Sequence, residues 1–328
     1  MSTKDATAIE APAGVGWRRL RLGAVRDYGV VISTIALFVV LSFSSSAFLT
    51  STNLLNLAEQ QVTLGIVACA ATLVIIAGGF DLSIGAVFAL SSVVAAKVAT
   101  TTSPTLGLVA GILTGLLCGA VNGGVSTIGR INSFIATLAS SIIIRGLALV
   151  VTAGFSIAVA DPGFRGLGND KLLGMRLSIW ILVAFAGILW FLLARTTFGH
   201  YVYAAGGNAE AARLSGIRVN AVRAATFAIS GLGAGIAGVL VTSRVGTAQA
   251  DVGVGLELTA IAAIVVGGTS IAGGAGAMWR TLLGVTLLAL IGNGFNLLSI
   301  DSMYQDIFTG ALIMAAVGID AWARKRSG

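Results

Sequence analysis

Few side chains in this sequence could do chemistry, and most of them lie in or beside long apolar runs. Arg145 stands within the apolar stretch SSIIIRGLALV. A charge inside such a stretch must face the interior of a helix bundle or a cavity, and it must find a partner there. We therefore expect Arg145 to pair with Asp81, Glu59 or Glu257, or else to contact a transported substrate.

The motif GGFDLSIGA, residues 78–86, places a carboxylate between two apolar runs. Gly78 and Gly79 can end one helix, and Asp81 or Ser83 can cap the next. An interrupted helix at membrane depth is tolerated only where it is buried in protein or lines a water-filled path. The motif therefore predicts either part of a translocation path or a tight interfacial turn.

Three asparagines in or beside apolar runs, Asn122, Asn132 and Asn293, could bind a polar solute or only a neighbouring helix. The sequence leaves both possibilities open. The candidate translocation path comprises Asp81, Ser83, Asn122, Phe134, Arg145 and Glu257.

The residues for catalysis or metal binding are almost absent. His200 is the only histidine, which excludes a cluster of histidine ligands, and we expect no Ser-His-Asp triad. Cys69 and Cys118 lie in apolar runs and indicate neither a disulfide nor a metal site. No lysine stands in a GxxxxGK[ST] phosphate loop. We expect no enzyme activity, metal or cofactor in this chain, and any ATP and Mg²⁺ that drive it belong to a partner.

The composition identifies the class of protein. Hydrophobic residues make up 56% of the 328 residues and charged residues only 10%, which is too little charge to cover a soluble domain of this length. The chain is therefore an integral membrane protein in contact with the lipid bilayer. Its net charge of +7 concerns membrane topology and not nucleic acid.

Hydropathy predicts about ten transmembrane helices, near residues 29–49, 57–78, 84–100, 104–125, 132–153, 177–194, 221–242, 256–275, 280–298 and 304–323. With the N-terminus inside, fourteen of the twenty Lys and Arg residues fall on the cytoplasmic side, as the positive-inside rule requires. We predict an all-α, polytopic membrane protein with both termini cytoplasmic. It comprises an N-terminal segment (1–28), a transmembrane domain (29–323) and a cytoplasmic tail (324–328).

The polar segment GGNAEAARLSGI, residues 206–217, falls in a cytoplasmic loop of this topology. It predicts a short helix in which Asn208 is the N-cap, Glu210 lies in the favourable first turn and Gly216 ends the helix. Its alanine-rich face is too shallow for lipid insertion and suits a groove in a protein. Since the chain has no motor of its own, this helix is a candidate docking element for an ATPase.

Five motifs together resemble the membrane permeases of bacterial ABC sugar importers, the ribose/xylose/galactose group. They are GGFDLSIGAV, GAVNGG, SFIATLASSIIIRGLALV, GGNAEAARLSGI and ELTAIAAIVVGGTSIAGGAG. The resemblance implies that the segment 206–217 is the coupling helix held by the ATPase. The residues to which it gives that role are Asn208, Glu210, Ala211, Ala212, Arg213 and Gly216.

The resemblance also implies a bacterial inner-membrane location and three protein partners. They are a cytoplasmic ATPase, a second permease subunit (a homodimer) and an external binding protein that delivers a monosaccharide. Cations predicted to lie outside, Arg165, Lys171, Arg176 and Arg244, are candidates for docking that binding protein. The alternatives are a branched-chain amino acid permease and an ion-coupled secondary transporter, whose coupling carboxylates could be Asp81, Glu59 and Glu257.

Overall fold

A computed structural model describes residues 15–301 of the chain and, after them, positions 303–305, 307–308, 310–311, 314 and 318; side chains are described from residue 29 onward. The chain is predominantly helical. Its helices are α1 Val15–Ser44, α2 Ser51–Ile76, α3 Ile84–Thr101, α4 Pro104–Thr127, α5 Ser133–Thr152, α6 Pro162–Asn169, α7 Leu177–Arg195, α8 Thr197–Gly207, α9 Ala209–Leu214, α10 Val219–Val245, α11 Leu256–Val266 and α12 Met278–Leu297.

Seven helices of the described part are long and apolar enough to cross a membrane: α2, α3, α4, α5, α7, α10 and α12. Each of them coincides with one of the ten predicted spans, so a polytopic membrane protein is confirmed. The first predicted span corresponds to a shorter apolar section of α1, Gly29–Ser44. The residues 1–14, most of the tenth predicted span (304–323) and the tail 324–328 lie outside the described residues.

The predicted span near 256–275 is wrong as a continuous helix. Helix α11 ends at Val266, after only 11 residues, and a turn-rich loop continues to α12. The backbone of Gly268, Gly273 and Gly274 has positive φ, a conformation that stops a helix. Glycine is close to neutral in hydropathy and does not interrupt the apolar run. Hydropathy therefore predicts one continuous span across this loop.

Helices α2, α3 and α10 form the buried centre of the bundle, with α4 packed closely on α10. Glycine makes this contact possible. A Cβ at Gly115 of α4 would lie 2.4 Å from the carbonyl oxygen of Gly231 on α10, and a Cβ at Gly119 would lie 2.3 Å from that of Phe227. Close backbone approach of this kind replaces the hydrophobic drive that helices lack inside a bilayer.

Two short antiparallel ladders add a little β-structure to the predicted all-α fold. Strand β1 (Ile157–Ala158) pairs with β4 (Thr247–Ala248), and β2 (Lys171–Leu172) pairs with β3 (Met175–Arg176). Both ladders and the short helix α6 lie at one end of the bundle, which we call the α6 end. Helices α8 and α9 lie between the last residue of α7 and the first of α10, at the opposite end, the α9 end.

Candidate functional site

Helix α9 is the short helix predicted in the segment 206–217. The side-chain oxygen of Asn208 accepts a hydrogen bond from the Ala211 N–H at 2.9 Å and caps the helix. At the other end Gly216 has φ +85°, which lets the chain turn toward α10. The prediction of a capped helix is confirmed. The sequence could predict it because the capping residue and the terminating glycine both lie within the segment itself.

One side of α9 faces the bundle and the other is exposed. Ala212 is buried in the core, whereas Ala211, Glu210 and Arg213 are exposed. Glu210 Oε1 and Arg213 Nη2 lie 2.6 Å apart, and this hydrogen bond raises the pKa of the Arg213 guanidinium. An exposed ion pair of this kind contributes little to stability, so both groups are free to bind a partner protein.

Helix α9 is joined to the bundle through α8. Asn208 is at once the C-cap of α8 and the N-cap of α9, so a single residue separates the two helices. The hydroxyl of Tyr203 on α8 donates to the Gly276 carbonyl at 2.8 Å, and burial raises the pKa of this phenol. Helix α9 is therefore connected by one residue to a helix that is packed into the core.

The segment between α2 and α3, residues 77–83, is the first break. The Asp81 carboxyl group accepts hydrogen bonds from the Ser83 N–H at 3.0 Å and from the hydroxyls of Ser83 and Ser230. Asn122 donates to the Ser83 hydroxyl at 2.7 Å, and Ser140 donates to the Asn122 carbonyl oxygen at 2.6 Å. Side chains of α4, α5 and α10 thus meet at this break.

The backbone of the first break is also satisfied by side chains. The N–H groups of Phe80 and Leu82 donate to the hydroxyls of Ser133 and Thr137 on α5, at 3.1 and 2.9 Å. Ser230 lies eleven residues beyond the start of α10, about 16 Å along the helix, so the break sits at membrane depth. Every bond of this kind removes an unsatisfied polar group from an apolar setting.

The structure brings Asp81, Ser83 and Asn122 together, as the predicted path requires, but it buries them. Asp81 is only 4% exposed and Asn122 only 3%. Phe134 is not part of this cluster: it lies in the first turn of α5 with 48% of its surface exposed.

The predicted ion pair of Arg145 is wrong. Its guanidinium donates to the backbone carbonyl of Ala250 at 2.9 Å. Of the predicted partners, Glu59 pairs with Arg176 at 2.9 Å, and Asp81 is held by serine hydroxyls. A backbone carbonyl oxygen at a chain reversal accepts from this half-buried guanidinium in place of a carboxylate, and no local pattern in the sequence predicts that reversal.

The reversal is the segment between α10 and α11, residues 246–255, which is the second break. Arg145 lies twelve residues after the start of α5, about 18 Å along it, so the carbonyl that it binds is also at membrane depth. Three glycines of this break, Gly246, Gly253 and Gly255, have positive φ.

The second break packs against Gly85, the second residue of α3, the helix that directly follows the first break. A Cβ there would lie 2.3 Å from both the Gly253 carbonyl oxygen and Glu257 Oε2. Glu257 Oε2 is buried, and within the described part of the chain it has no hydrogen-bond partner. A buried carboxylate oxygen without a donor is costly.

The four predicted docking cations all lie at the α6 end. Arg176 pairs with Glu59, and Arg244 donates to the Glu59 backbone carbonyl at 3.3 Å, so both are held within the chain. Arg165 and Lys171 are exposed. Asn169 ties this region together by accepting from Arg176 and donating to the carbonyls of Arg165, Ser243 and Arg244.

Sequence reasoning missed the residues that complete the first break from distant helices. They are Ser133, Thr137 and Ser140 on α5 and Ser230 on α10. Serine and threonine are common in membrane helices, and only the fold shows which of them face a break. It also missed Arg223, which lies in the second turn of α10.

Comparison with known proteins gives one family. Residues 53–317 match the family described as "Branched-chain amino acid transport system / permease component". This range contains both breaks and α9.

Curated relatives cover nearly the whole chain. The ribose import permease protein RbsC of Bacillus subtilis is 42% identical over 309 residues, 93% of this chain and 95% of that protein. RbsC of Haemophilus influenzae is 38% identical over 88% of this chain and 91% of its own length. The L-arabinose ABC transporter permease protein AraH of Azospirillum brasilense is 36% identical over 98% and 96%. No solved structure matches the chain.

Proposed function

The chain belongs to the family of branched-chain amino acid transport system permease components, and from this premise we propose that it is the permease subunit of an ATP-driven sugar importer. The relatives support a monosaccharide as cargo, since they are named for ribose and L-arabinose. They do not favour the amino acid alternative or an ion-coupled transporter. The chain itself carries out no reaction; ATP is hydrolysed by a partner.

The observation that carries the proposal is the position of α9. An exposed, capped helix at one end of the bundle is joined by one residue to α8, which is anchored in the core. Such a helix can fit a groove on a separate ATPase and pass its movement to the bundle. We place the α9 end in the cytoplasm of a bacterial inner membrane.

The second break supports the proposed sugar path. Among the residues that the structure describes, none donates a hydrogen bond to Glu257 Oε2, and a sugar hydroxyl is a donor. Val254 and Leu258 beside it are exposed, which fits a second permease subunit, as in a homodimer, that closes the path from the other side. Arg145 shapes this site by holding the Ala250 carbonyl.

At the α6 end, Arg165 and Lys171 are free to meet acidic groups on an external binding protein. Arg176 and Arg244 instead bind Glu59 of this chain, Arg176 through the carboxylate and Arg244 through the backbone carbonyl. The first break, in turn, connects α4, α5 and α10 through buried hydrogen bonds, and we propose that these helices move together there.

The test removes the exposed groups of α9. In a deletion strain of the source organism, wild-type or variant permease is restored, and uptake of labelled ribose, arabinose and leucine is measured. The Glu210→Ala, Arg213→Ala double variant should reduce both sugar uptake and recovery of a P-loop ATPase with the tagged permease. Arg195→Ala is the matched control, because Arg195 is exposed at the same end in the last turn of α7.

Unchanged sugar uptake and ATPase recovery in the double variant would contradict the coupling role of α9. Loss of leucine uptake alone in the deletion strain would make the chain an amino acid permease. Uptake that stops with a protonophore, and continues without the ATPase, would make it a secondary transporter.

A further inference from the structure

Arg223 joins the ends of two helices at the α9 end of the bundle. It lies in the second turn of α10, and its guanidinium is half-buried. Arg223 Nε donates to the carbonyl of Ala77, the C-cap of α2, at 3.0 Å. Arg223 Nη2 donates to the carbonyl of Ala205, in the last turn of α8, at 3.1 Å. One side chain therefore holds α2, α8 and α10 together.

The chemistry of this contact requires arginine. The last carbonyls of a helix lack partners within it and carry partial negative charge, so a cation is favourable beside them. The guanidinium is a planar fork that can serve both helix ends at once, whereas a lysine ammonium is a point charge on a flexible stem. The two bonds leave from different nitrogens of Arg223, which uses this fork.

Backbone contacts keep the two helix ends pressed together. A Cβ at Gly206 of α8 would lie only 1.7 Å from the carbonyl oxygen of Ile76 at the end of α2. The same carbonyl accepts a hydrogen bond from the Gly274 N–H at 2.8 Å. The end of α8 therefore cannot approach α2 further. Because the two backbones are in direct contact, we expect a displacement of the end of α8 toward α2 to move the end of α2.

The end of α2 is the start of the first break. Ala77 is four residues from Asp81, whose carboxyl group binds α3 and α10. Gly79 between them packs against Phe227, one helical turn beyond Arg223 on α10. A short stretch of chain, in which Ala77, Gly79 and Asp81 are buried, thus links the contact at Arg223 to the helices around the first break.

We infer that Arg223 is the positioning residue through which displacement of α8 and α9 is transmitted to the first break. This inference rests on the proposed function, in which a partner ATPase moves α9. The half-buried guanidinium of Arg223 bonds to the ends of α2 and α8, so we assign it a role separate from binding the ATPase. Losing it should leave the ATPase bound but disconnect its movement from the transmembrane helices.

The experiment uses the complex of permease, ATPase and binding protein in lipid nanodiscs and proteoliposomes, with labelled ribose and arabinose as probes. Arg223→Gln is compared with wild type, with Arg223→Lys and with the control Arg195→Gln. We expect normal ATPase recovery and ATP hydrolysis for Arg223→Gln, with sugar transported per ATP lowered about tenfold, as expected for losing charge-assisted hydrogen bonds. Arg223→Lys should be intermediate, and Arg195→Gln should match wild type.

A second measurement separates transmission from a merely structural role. Hydrogen exchange of a peptide covering residues 77–83 is followed with and without ATP. In wild type and in Arg195→Gln this exchange should change with ATP, and in Arg223→Gln it should not. Tyr203→Phe, which removes only the hydroxyl bond to Gly276, should weaken the ATP response without abolishing it.

Normal transport per ATP in Arg223→Gln, or an ATP response of residues 77–83 equal to wild type, would overturn the inference. So would a loss of ATPase recovery, because Arg223 would then serve the docking surface. If wild type itself neither binds the ATPase nor transports either sugar, the proposed function fails instead, and the two failures are thereby distinguished.

Discussion

The first break satisfies its polar side chains with hydrogen bonds, whereas the second break leaves a carboxylate oxygen without a donor in the described chain. Both interrupt helices at membrane depth, where each free polar group is expensive. In the first break the side-chain oxygens of Asp81, Ser83 and Asn122 are all hydrogen-bonded, and its N–H groups reach hydroxyls of α5. In the second break glycine conformations make the turn, one carbonyl is held by Arg145, and Glu257 Oε2 has no donor within the described chain.

From this difference we propose different roles for the two breaks in transport. A fully satisfied network has one preferred arrangement and moves as a unit, which suits transmission of force. An unsatisfied acceptor is stabilised when a donor arrives, which suits weak contact with a passing polyhydroxylated solute. The following variants are ordered from the largest to the smallest expected effect on stability.

Asp81→Ala should be the most damaging. It removes an acceptor of three hydrogen bonds and leaves the Ser83 and Ser230 hydroxyls buried without it, at a cost of about 3 kcal/mol. The measurement is the melting temperature of the detergent-solubilised permease, followed by fluorescence-detected gel filtration. Asp251→Ala in the second break is the matched control, because Asp251 is exposed. Equal melting temperatures for both variants would remove the distinction between the breaks.

Gly85→Ala should disturb the packing of the second break against α3. The added methyl group would lie 2.3 Å from both the Gly253 carbonyl and Glu257 Oε2, so the second break must shift away from α3. Overpacking of this kind costs about 2 kcal/mol. Gly146→Ala on α5 has open space and should be neutral or slightly stabilising. A similar melting temperature for the two variants would show that the second break is not packed tightly against α3.

Glu257→Gln should affect transport and leave stability unchanged. The carboxylate oxygen has no donor to lose inside the described chain, so the melting temperature should stay within about a degree of wild type or rise. The KM for sugar uptake should rise about tenfold, as expected for losing a hydrogen bond to a charged group. A fall in melting temperature with normal KM would make Glu257 a structural residue.

The sequence predicts the features whose signals are local. Asn208 and Gly216 define α9 within a few residues of each other, and Gly78, Gly79 and Asp81 announce the first break in the same way. Seven of the predicted spans appear as long apolar helices, because a 20-residue apolar run has few other ways to satisfy its backbone in lipid.

The remaining features depend on contacts between distant residues. Ser230 reaches Asp81 across 149 positions of the chain, and no local pattern distinguishes it from other serines of α10. Arg145 binds a backbone carbonyl, a group that every residue carries. Arg223 resembles an ordinary cytoplasmic charge until the ends of α2 and α8 are seen on either side of it.

The shortness of α11 has a consequence for how the protein is made. Eleven residues of helix span about 16 Å, roughly half of a bilayer's hydrocarbon thickness of about 30 Å. The insertion machinery therefore receives α10 and α12 as membrane-crossing segments, but not α11. The chain from 246 to 277 is held by contacts with other segments, since Arg145 bonds to Ala250 and Ile76 accepts from Gly274. We therefore expect the second break to be among the last parts of the permease to mature.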